Sequence, residues 1–206
     1  MPRHPGQVDE AKTEAILEAA GALFAERGLA ASMDEIARRA GVSKQTLYNR
    51  FASKSEIAQA LAEQRSAAVT APLKGGGEPE AVLEALALSL LERVCAPEKT
   101  ASLRGVCLVS ADAPEISRIV YQAGPGESLK RLSAWLADQT RAGRLDTPDP
   151  DEAAEMFTGM VLGHGHLRAV LDIPQIGPEQ RKVRAREAAA RFVRAFAPVD
   201  AGERSA

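Results

Sequence analysis

Apolar residues recur every three or four positions along most of the chain, and no segment shows the strict alternation that indicates a β-strand. The first periodic segment runs from about Asp9 to Arg27, and Gly28 is expected to end it. Its apolar face consists of Ile16, Ala20, Leu23 and Phe24. Since helical periodicity returns in the later segments, the sequence predicts an all-α fold.

Residues 32–51 predict two short helices joined by a tight turn. Ser32 is placed to cap the first helix, and Glu35, three residues later, completes a capping box. Gly41 supplies the left-handed residue that ends this helix, and Ser43 can cap the second. The pattern is typical of an N-terminal helix-turn-helix head.

Charge distinguishes this pair of short helices, which we call the corner, from the rest of the chain. The formal net charge of the whole sequence is -2, yet no Asp or Glu occurs between Glu35 and Glu56. The basic residues in that interval are Arg38, Arg39, Lys44, Arg50 and Lys54. A local basic patch on a nearly neutral protein suits docking of one face on phosphates. The alternative is a plain structural corner, because capping boxes and glycine turns join helices in many all-α proteins.

The second helix of the corner directs its polar residues outward, away from Leu47 and Phe51. The predicted DNA-binding residues are Ser32, Arg38, Ser43, Lys44, Gln45, Thr46, Tyr48, Asn49, Arg50 and Lys54. Among them, the two lysines and the tyrosine are expected to contact phosphates. Gln45, Thr46 and Asn49 are expected to face base edges, since amide and hydroxyl groups can read bases in the major groove.

These segments resemble the TetR family of bacterial transcriptional regulators. The resemblance covers the first third of the chain and lies in residues 16–24 (ILEAAGALF), 27–28 (RG), 46–48 (TLY), Phe51 and 53–54 (SK). The chain departs from the common pattern at Gln45, where many members have glycine, and at Arg50, where histidine is frequent. Both departures concern base preference. A looser similarity to the AefR-like C-terminal domains lies in residues 113–115, 121–125 and 142–145.

The resemblance implies a homodimeric repressor that binds a palindromic operator on double-stranded DNA and is released by a small hydrophobic effector. Regulation of efflux or catabolic genes is implied, and activation instead of repression stays open. The competing interpretation is an all-α enzyme or metal-binding protein with an incidental basic corner. No Ser/His/Asp or Cys/His set, phosphate loop or metal-ligand motif occurs in the sequence, so no enzyme activity, cofactor or metal is expected.

The glycine-rich segment 72–79 predicts a loop between the head and a C-terminal helical bundle. The expected domains are an N-terminal arm and head over 1–53, a connecting helix and loop over 54–77, an effector-binding and dimerisation bundle over 78–198, and a disordered tail over 199–206. Within the bundle, one helix is expected over about 103–109, another is expected to end at Gly124 and Pro125, and a long one is expected from Asp149 to about Leu171.

Apolar residues surround that long helix so widely that it is expected to be covered on more than one side. Gly159 and Gly163, one turn apart, would allow a second helix to approach closely. The predicted dimer-interface residues are Gly159, Gly163, Leu167, Phe192 and Phe196. The basic residues of the last helix form its solvated side or, alternatively, a second DNA-contacting surface.

The family resemblance also implies an effector pocket in the bundle. The candidate ligand-binding residues are Arg104, Tyr121, Trp135, Gln139, Met156, Phe157, Met160 and His164. The alternative is a packed core, to which a tryptophan or methionine at helical spacing belongs more often than to a pocket. His164 and His166 are two positions apart and point to different sides of a helix, which argues against a shared metal.

The composition agrees with a helical protein and adds two expectations. The 206-residue chain is 45% hydrophobic but only 4% aromatic, so its core must consist mainly of aliphatic residues. With no membrane-spanning segment and no apolar signal core at the start, a cytoplasmic protein is expected. Cys95 and Cys107 lack metal-site spacing and are interpreted as buried structural thiols or, alternatively, as a redox switch.

Overall fold

Ten α-helices make up most of the computed structural model, which describes residues 5–96 and 114–198 and contains no strand in those two ranges. The helices are α1 (Pro5–Arg27), α2 (Met33–Arg39), α3 (Lys44–Tyr48), α4 (Lys54–Val69), α5 (Pro79–Cys95), α6 (Pro114–Tyr121), α7 (Glu127–Arg141), α8 (Pro150–Leu162), α9 (Gly165–Val170) and α10 (Pro178–Ala195). The all-α prediction is confirmed. The helix expected at 103–109, with Arg104 and Cys107, and the tail at 199–206 lie outside the described residues.

Contacts divide the chain into two units. The head unit comprises residues 5–65 and 114–124 of the described ranges, and the bundle unit comprises residues 66–96 and 125–198. The division falls inside α4, between Arg65 and Ser66, whereas the sequence predicted a separate connecting segment over 54–77. Accordingly, Leu61 of α4 belongs to the core of the head unit and Val69 to that of the bundle unit.

The head unit is held together by aliphatic residues from its first four helices. Ile16 of α1, Ile36 of α2, Leu47 of α3 and Ile57 of α4 are all fully buried. Burying a side chain of this size contributes on the order of 1.5 to 3 kcal/mol each. The inward face predicted for residues 16–24 therefore lies in the core of the head, where α1 packs on α2 and α2 packs on α3.

The bundle unit has a core built on α5, α7, α8 and α10. Helix α10 packs mainly on α5, and α7 packs on α8. Phe157 of α8 and Phe192 of α10 are both fully buried and meet edge to face, with ring centroids 5.1 Å apart. Leu83, Leu86 and Leu136 complete this layer.

Three helix boundaries differ from the sequence prediction. Helix α1 begins at Pro5 instead of Asp9. Residues 122–126 form a π-helical turn, so Gly124 and Pro125 do not end a helix as expected. Proline removes one backbone N–H, and a widened turn is a common way for a helix to accommodate that loss.

The third difference is the predicted long helix from Asp149 to Leu171, which is wrong. Helix α8 ends at Leu162 because Gly163 adopts a φ of 49°, a left-handed value that interrupts a right-handed helix. A second, short helix, α9, then begins at Gly165. Gly163 is therefore a helix-ending residue, and the close-packing role predicted for it inside a helix does not apply.

Candidate nucleic-acid interface and effector cavity

The start of α2 is fixed by the predicted capping box. The Ser32 hydroxyl accepts a hydrogen bond from the Glu35 N–H at 3.2 Å, and a Glu35 carboxylate oxygen accepts one from the Ser32 N–H at 2.8 Å. Arg27 also pairs with this carboxylate. The bond from the Ser32 backbone, with smaller contributions from the Ser32 hydroxyl and from Arg27, lowers the pKa of Glu35 to about 2. The carboxylate is therefore ionised at physiological pH and holds the helix start in place.

The turn between α2 and α3 also has the predicted geometry. Gly41 adopts a φ of 65°, and the N–H of Val42 donates to the Ala37 carbonyl at 3.0 Å. The Ser43 hydroxyl accepts a hydrogen bond from the Thr46 N–H at 3.0 Å and therefore caps α3. Because both helix starts are capped and Leu47 is fully buried, the rotation of α3 about its axis is fixed.

Helix α3 presents one continuous polar face. Lys44, Gln45, Tyr48 and Asn49 are exposed, and the Gln45 amide donates to the Asn49 side-chain oxygen at 2.7 Å across one helical turn. Thr46 is half-buried, and its hydroxyl lies 2.8 Å from that of Ser43. The structure thus groups four of the predicted DNA-binding side chains on one surface.

Other predicted DNA-binding residues have intramolecular contacts. Arg50, half-buried, donates to the Thr13 hydroxyl of α1 at 2.6 Å. The Ser32 hydroxyl belongs to the capping box. Arg38 is exposed on α2 and Lys54 is half-buried at the start of α4. These four residues stay predictions as DNA contacts, and at least Ser32 and Arg50 also stabilise the head.

Two carboxylates from outside the acid-free interval between Glu35 and Glu56 pair with basic residues inside it. Asp34 lies 2.5 Å from the Lys44 ammonium, and Glu26 lies 2.8 Å from an Arg39 guanidinium nitrogen. The sequence argument missed both, because the acid-free interval was counted from Glu35 onward. Asp34 lies one position before Glu35, and Glu26 reaches the patch from α1.

The sequence matches two family descriptions in succession. Residues 16–61 match "Bacterial regulatory proteins, tetR family", and residues 81–198 match "AefR-like transcriptional repressor, C-terminal domain". The chain belongs to the TetR family. It is a TetR-family transcriptional regulator, whose relatives are DNA-binding proteins and are not typically enzymes.

Known relatives of this TetR-family regulator agree with the assignment. The transcriptional repressor KstR2 of Mycobacterium tuberculosis is 47% identical over 62 residues, which is 30% of each chain. The match to that relative therefore spans less than a third of its length. The solved structure of the flavonoid-responsive regulator FrrA is 31% identical, covers 91% of this chain and 97% of its own, and has a TM-score of 0.67. A TetR-family regulator from Mesorhizobium loti is 25% identical, with coverages of 92% and 98% and a TM-score of 0.75.

The predicted effector residues of this TetR-family regulator differ in their burial. Phe157 is fully buried, Trp135 is 9% exposed and Gln139 is 5% exposed, so all three belong to the packed interior of the bundle unit. Phe157 and Trp135 follow the alternative interpretation, that aromatic residues at helical spacing form the core, whereas Gln139 is a buried polar residue. Met156 and Met160 are exposed on α8, and Tyr121 is exposed and belongs to the head unit.

A cavity of about 300 Å³ does exist in the bundle unit, and His164 is the predicted residue that lines it. Its apolar wall consists of Leu91, Val94, Leu162 and Ile176. Its polar wall consists of Cys95, His164, Arg168, Gln175 and Arg184. We call it the basic cavity. Its size is at the lower end of the range of small-molecule pockets.

Several large apolar side chains of the bundle unit are exposed. They are Met156, Met160, Leu167, Val170, Leu171, Ile173 and Val183. Next to Met160 and Val183 is a groove of about 580 Å³ between α8 and α10, which we call the α8–α10 groove. Gly159 is exposed on α8, and a Cβ placed there would meet nothing within 4 Å.

The dimer-interface prediction needs a second correction, besides the one at Gly163. Phe192 is fully buried inside its own chain against Phe157 and is not available to a partner. Phe196 is half-buried and stacks on Phe192 with centroids 4.6 Å apart. The apolar stripe of α10 was predicted to contact a partner. That prediction was made because the sequence does not show that α5 of the same chain already covers the stripe.

The described residues hold no group of three or more His, Cys, Asp or Glu side chains suited to a metal ion. In the same ranges, no helix combines the length and apolar character needed to cross a membrane. Cys95 is half-buried and lines the basic cavity.

Proposed function

We propose that this TetR-family regulator is a homodimeric repressor that binds a palindromic operator through α3 and is released by a small hydrophobic or amphipathic effector. The observation that carries the proposal is the exposed polar face of α3, whose rotation is fixed by two capped helix starts and by the burial of Leu47. A recognition helix must present the same side chains on every encounter, and this arrangement meets that requirement.

The roles of the α3 side chains follow from their chemistry. Lys44, Tyr48 and Lys54 are proposed to contact phosphates, which position the head without reading sequence. Gln45 and Asn49 are proposed to read base edges, with Thr46 beside them, because amides pair well with adenine in the major groove. Gln45 and Asn49 already share a hydrogen bond of 2.7 Å, so they are oriented toward one another before DNA arrives.

The second copy is proposed to cover the exposed side of α8 and α10. Met156 and Met160 are 51% and 44% exposed on α8, and Val183 is 59% exposed on α10. The neighbouring Gly159 leaves room for a helix to approach. The two heads of the dimer are proposed to bind half-sites about 34 to 36 Å apart, which is one helical turn of DNA.

An effector can release the operator only if it binds the DNA-free state better than the DNA-bound state. We propose that the ligand occupies the bundle unit and biases the protein toward a head separation that no longer fits DNA. FrrA is described as flavonoid-responsive, which supports a small apolar effector here. The description of KstR2 as a repressor supports repression, and control of efflux or catabolic genes is proposed from the family resemblance.

Binding-site selection with the purified chain tests the proposal directly. The expected result is a palindromic consensus, bound as one dimer per site in sedimentation experiments. A consensus with no internal symmetry, or binding by a monomer, would contradict the proposal. Mass spectrometry of small molecules that co-purify with the chain would then search for the effector.

A further inference from the structure

The basic cavity combines an apolar wall with a concentration of positive charge. Arg168 and Arg184 line it directly, together with Leu91, Val94 and Leu162. No Asp or Glu is among its lining residues in the part of the chain that the structure describes. A cavity lined by both apolar side chains and guanidinium groups matches an organic anion with an apolar body.

A third arginine adds to the positive charge beside this cavity. Arg181 lies three residues before Arg184 on α10, so the two side chains share one side of the helix. Its Nε is buried and has no hydrogen-bond partner among the described residues. In those ranges, no carboxylate forms an ion pair with Arg168, Arg181 or Arg184. Buried donors normally have acceptors, so the Arg181 Nε is a donor that a bound anion can satisfy.

The same arginines influence the pKa of the Cys95 thiol. Burial raises the pKa of Cys95, and the nearby Arg181, Arg184 and Arg168 oppose that rise. The thiol is therefore neutral at physiological pH and does not repel an anion. Its Sγ lies 3.7 Å from the Gln175 side-chain oxygen.

The walls of the cavity leave little freedom to rearrange. The Gln175 amide donates to the Gly165 carbonyl at 3.0 Å and so connects the segment after α9 to the start of α9. A Cβ at Gly165 would lie 3.2 Å from Val94, and one at Gly163 would lie 3.3 Å from an Arg184 nitrogen. Because Gly165 has no side chain, α9 can approach Val94 of α5. Because Gly163 has none, the Arg184 side chain can approach the backbone between α8 and α9.

We infer that the basic cavity is a binding site for an amphipathic carboxylate, whose carboxylate group pairs with Arg168 and Arg184 while its apolar body lies on Leu91, Val94 and Leu162. A carboxylate is favoured because a guanidinium group can donate two parallel hydrogen bonds to it. The apolar wall distinguishes this ligand from inorganic anions. The inference gives a ligand class to the effector response and rests on the proposed function in that respect.

Calorimetry of the purified full chain tests the site without reference to DNA. The probes are octanoate and 4-phenylbutyrate, with 1-octanol, octylamine and inorganic phosphate for comparison. Both carboxylates are expected to bind, with the alcohol, the amine and phosphate at least about tenfold weaker. Equal binding of 1-octanol, equal binding of phosphate, or no binding of either carboxylate at millimolar concentration would each overturn the inference.

Two variants and a control locate the binding. Arg168→Gln and Arg184→Gln are each expected to weaken octanoate binding by about tenfold to a hundredfold. Arg194→Gln removes an exposed arginine from the same helix α10 outside the cavity lining and is expected to change nothing. Unchanged octanoate affinity in both cavity variants would contradict the inference, with circular dichroism verifying that each variant is folded.

Protection of Cys95 supplies a second readout that needs no change to the arginines. In a Cys107→Ser background Cys95 is the only thiol, and its alkylation by neutral iodoacetamide can be followed by mass spectrometry. Saturating octanoate is expected to slow that alkylation at least severalfold, while 1-octanol at the same concentration is not. Equal alkylation rates with and without octanoate would place any bound carboxylate elsewhere.

The same probes separate this inference from the proposed function. If octanoate binds as described but leaves operator binding unchanged, the ligand site is supported and its role in operator release is contradicted. If another compound releases the operator while neither carboxylate binds, the repressor proposal stands and the carboxylate site is overturned.

Discussion

The Lys44 ammonium lies 2.5 Å from the Asp34 carboxylate, so a cation proposed to contact operator phosphate is already paired within the protein. Both side chains are more than half exposed, at 67% and 54%, and such exposed pairs contribute little to folding stability. The consequence concerns DNA instead. Before Lys44 can contact a phosphate, it must exchange one anionic partner for another.

Removing that carboxylate is therefore expected to strengthen DNA binding. Asp34→Asn frees Lys44 and deletes one negative charge from each head, so affinity should rise for specific and nonspecific DNA alike. The steepness of the salt dependence should stay about the same, because Lys44 is proposed to contact the same phosphate in both proteins. Fluorescence anisotropy at several salt concentrations measures both quantities.

Asp138→Asn is a matched control for that change. Asp138 pairs with Arg141 in the bundle unit, so this variant removes the same charge from another exposed pair. It is expected to leave the DNA affinity unchanged. If Asp34→Asn and Asp138→Asn gave the same DNA affinity as the unmodified chain, Lys44 would not be a phosphate contact.

Gln45→Ala is expected to relax base preference without abolishing binding. The change deletes an amide from the exposed face of α3 and also removes its hydrogen bond to Asn49. Loss of one bidentate base contact should reduce discrimination by about 1 to 3 kcal/mol. Binding-site selection measures the change, and Gln59→Ala, an exposed glutamine on α4, is the control. An unchanged consensus for Gln45→Ala would contradict the base-reading role.

Gly159→Leu is expected to prevent dimerisation while leaving the protomer folded. A Cβ at this position meets nothing within 4 Å in the protomer, so the leucine side chain would project outward from α8. Replacing a glycine inside a helix should even stabilise the protomer, by roughly 1 kcal/mol. Sedimentation velocity reports the oligomeric state, and thermal unfolding followed by circular dichroism reports stability.

Ala134→Leu is the control for this variant, because Ala134 is exposed on α7, which is not part of the proposed interface. It should remain dimeric. A dimeric Gly159→Leu chain would move the proposed interface away from the centre of α8. Gly163→Leu is unsuitable for this test, since a leucine at a φ of 49° is strained whether or not a partner is present.

Acid is expected to destabilise the head in a defined range of pH. The pKa of Glu35 is lowered from 4.5 to about 2, so its ionised form stabilises the native head above the unfolded pKa. That contribution should be lost as the pH falls from about 4.5 toward 2. In Glu35→Gln the capping geometry can persist but the titrating group is gone. The difference in thermal stability between the two proteins should shrink across this range, and a constant difference would contradict the role of the charge.

Features that depend on neighbouring residues could be predicted from the sequence. The capping box links Ser32 to Glu35, and the turn depends on Gly41 alone, so the local sequence contains all the necessary information. The buried positions Ile36 and Leu47 followed from the same periodicity. The helix-turn-helix was predicted correctly for this reason.

Features that depend on distant residues could not be predicted in this way. The hydrogen bond between Arg50 and Thr13 is one example, because Thr13 lies 37 positions earlier in the chain. Phe192 was assigned to a partner because nothing in its own helix shows that Phe157 covers it. The basic cavity was missed because its lining residues come from α5, α9, α10 and the segments between them.

The interruption at Gly163 affects how selectively the chain can pair with a copy of itself. An unbroken helix would offer a single apolar stripe, to which many amphipathic helices could attach. Here Met156 and Met160 lie before the interruption and Leu167 and Leu171 lie after it, so the apolar surface is divided between two helices with different axes. A partner must match both parts at once, which only another chain with the same interruption does well. We therefore expect this protein to avoid mixed dimers with other proteins of the same fold.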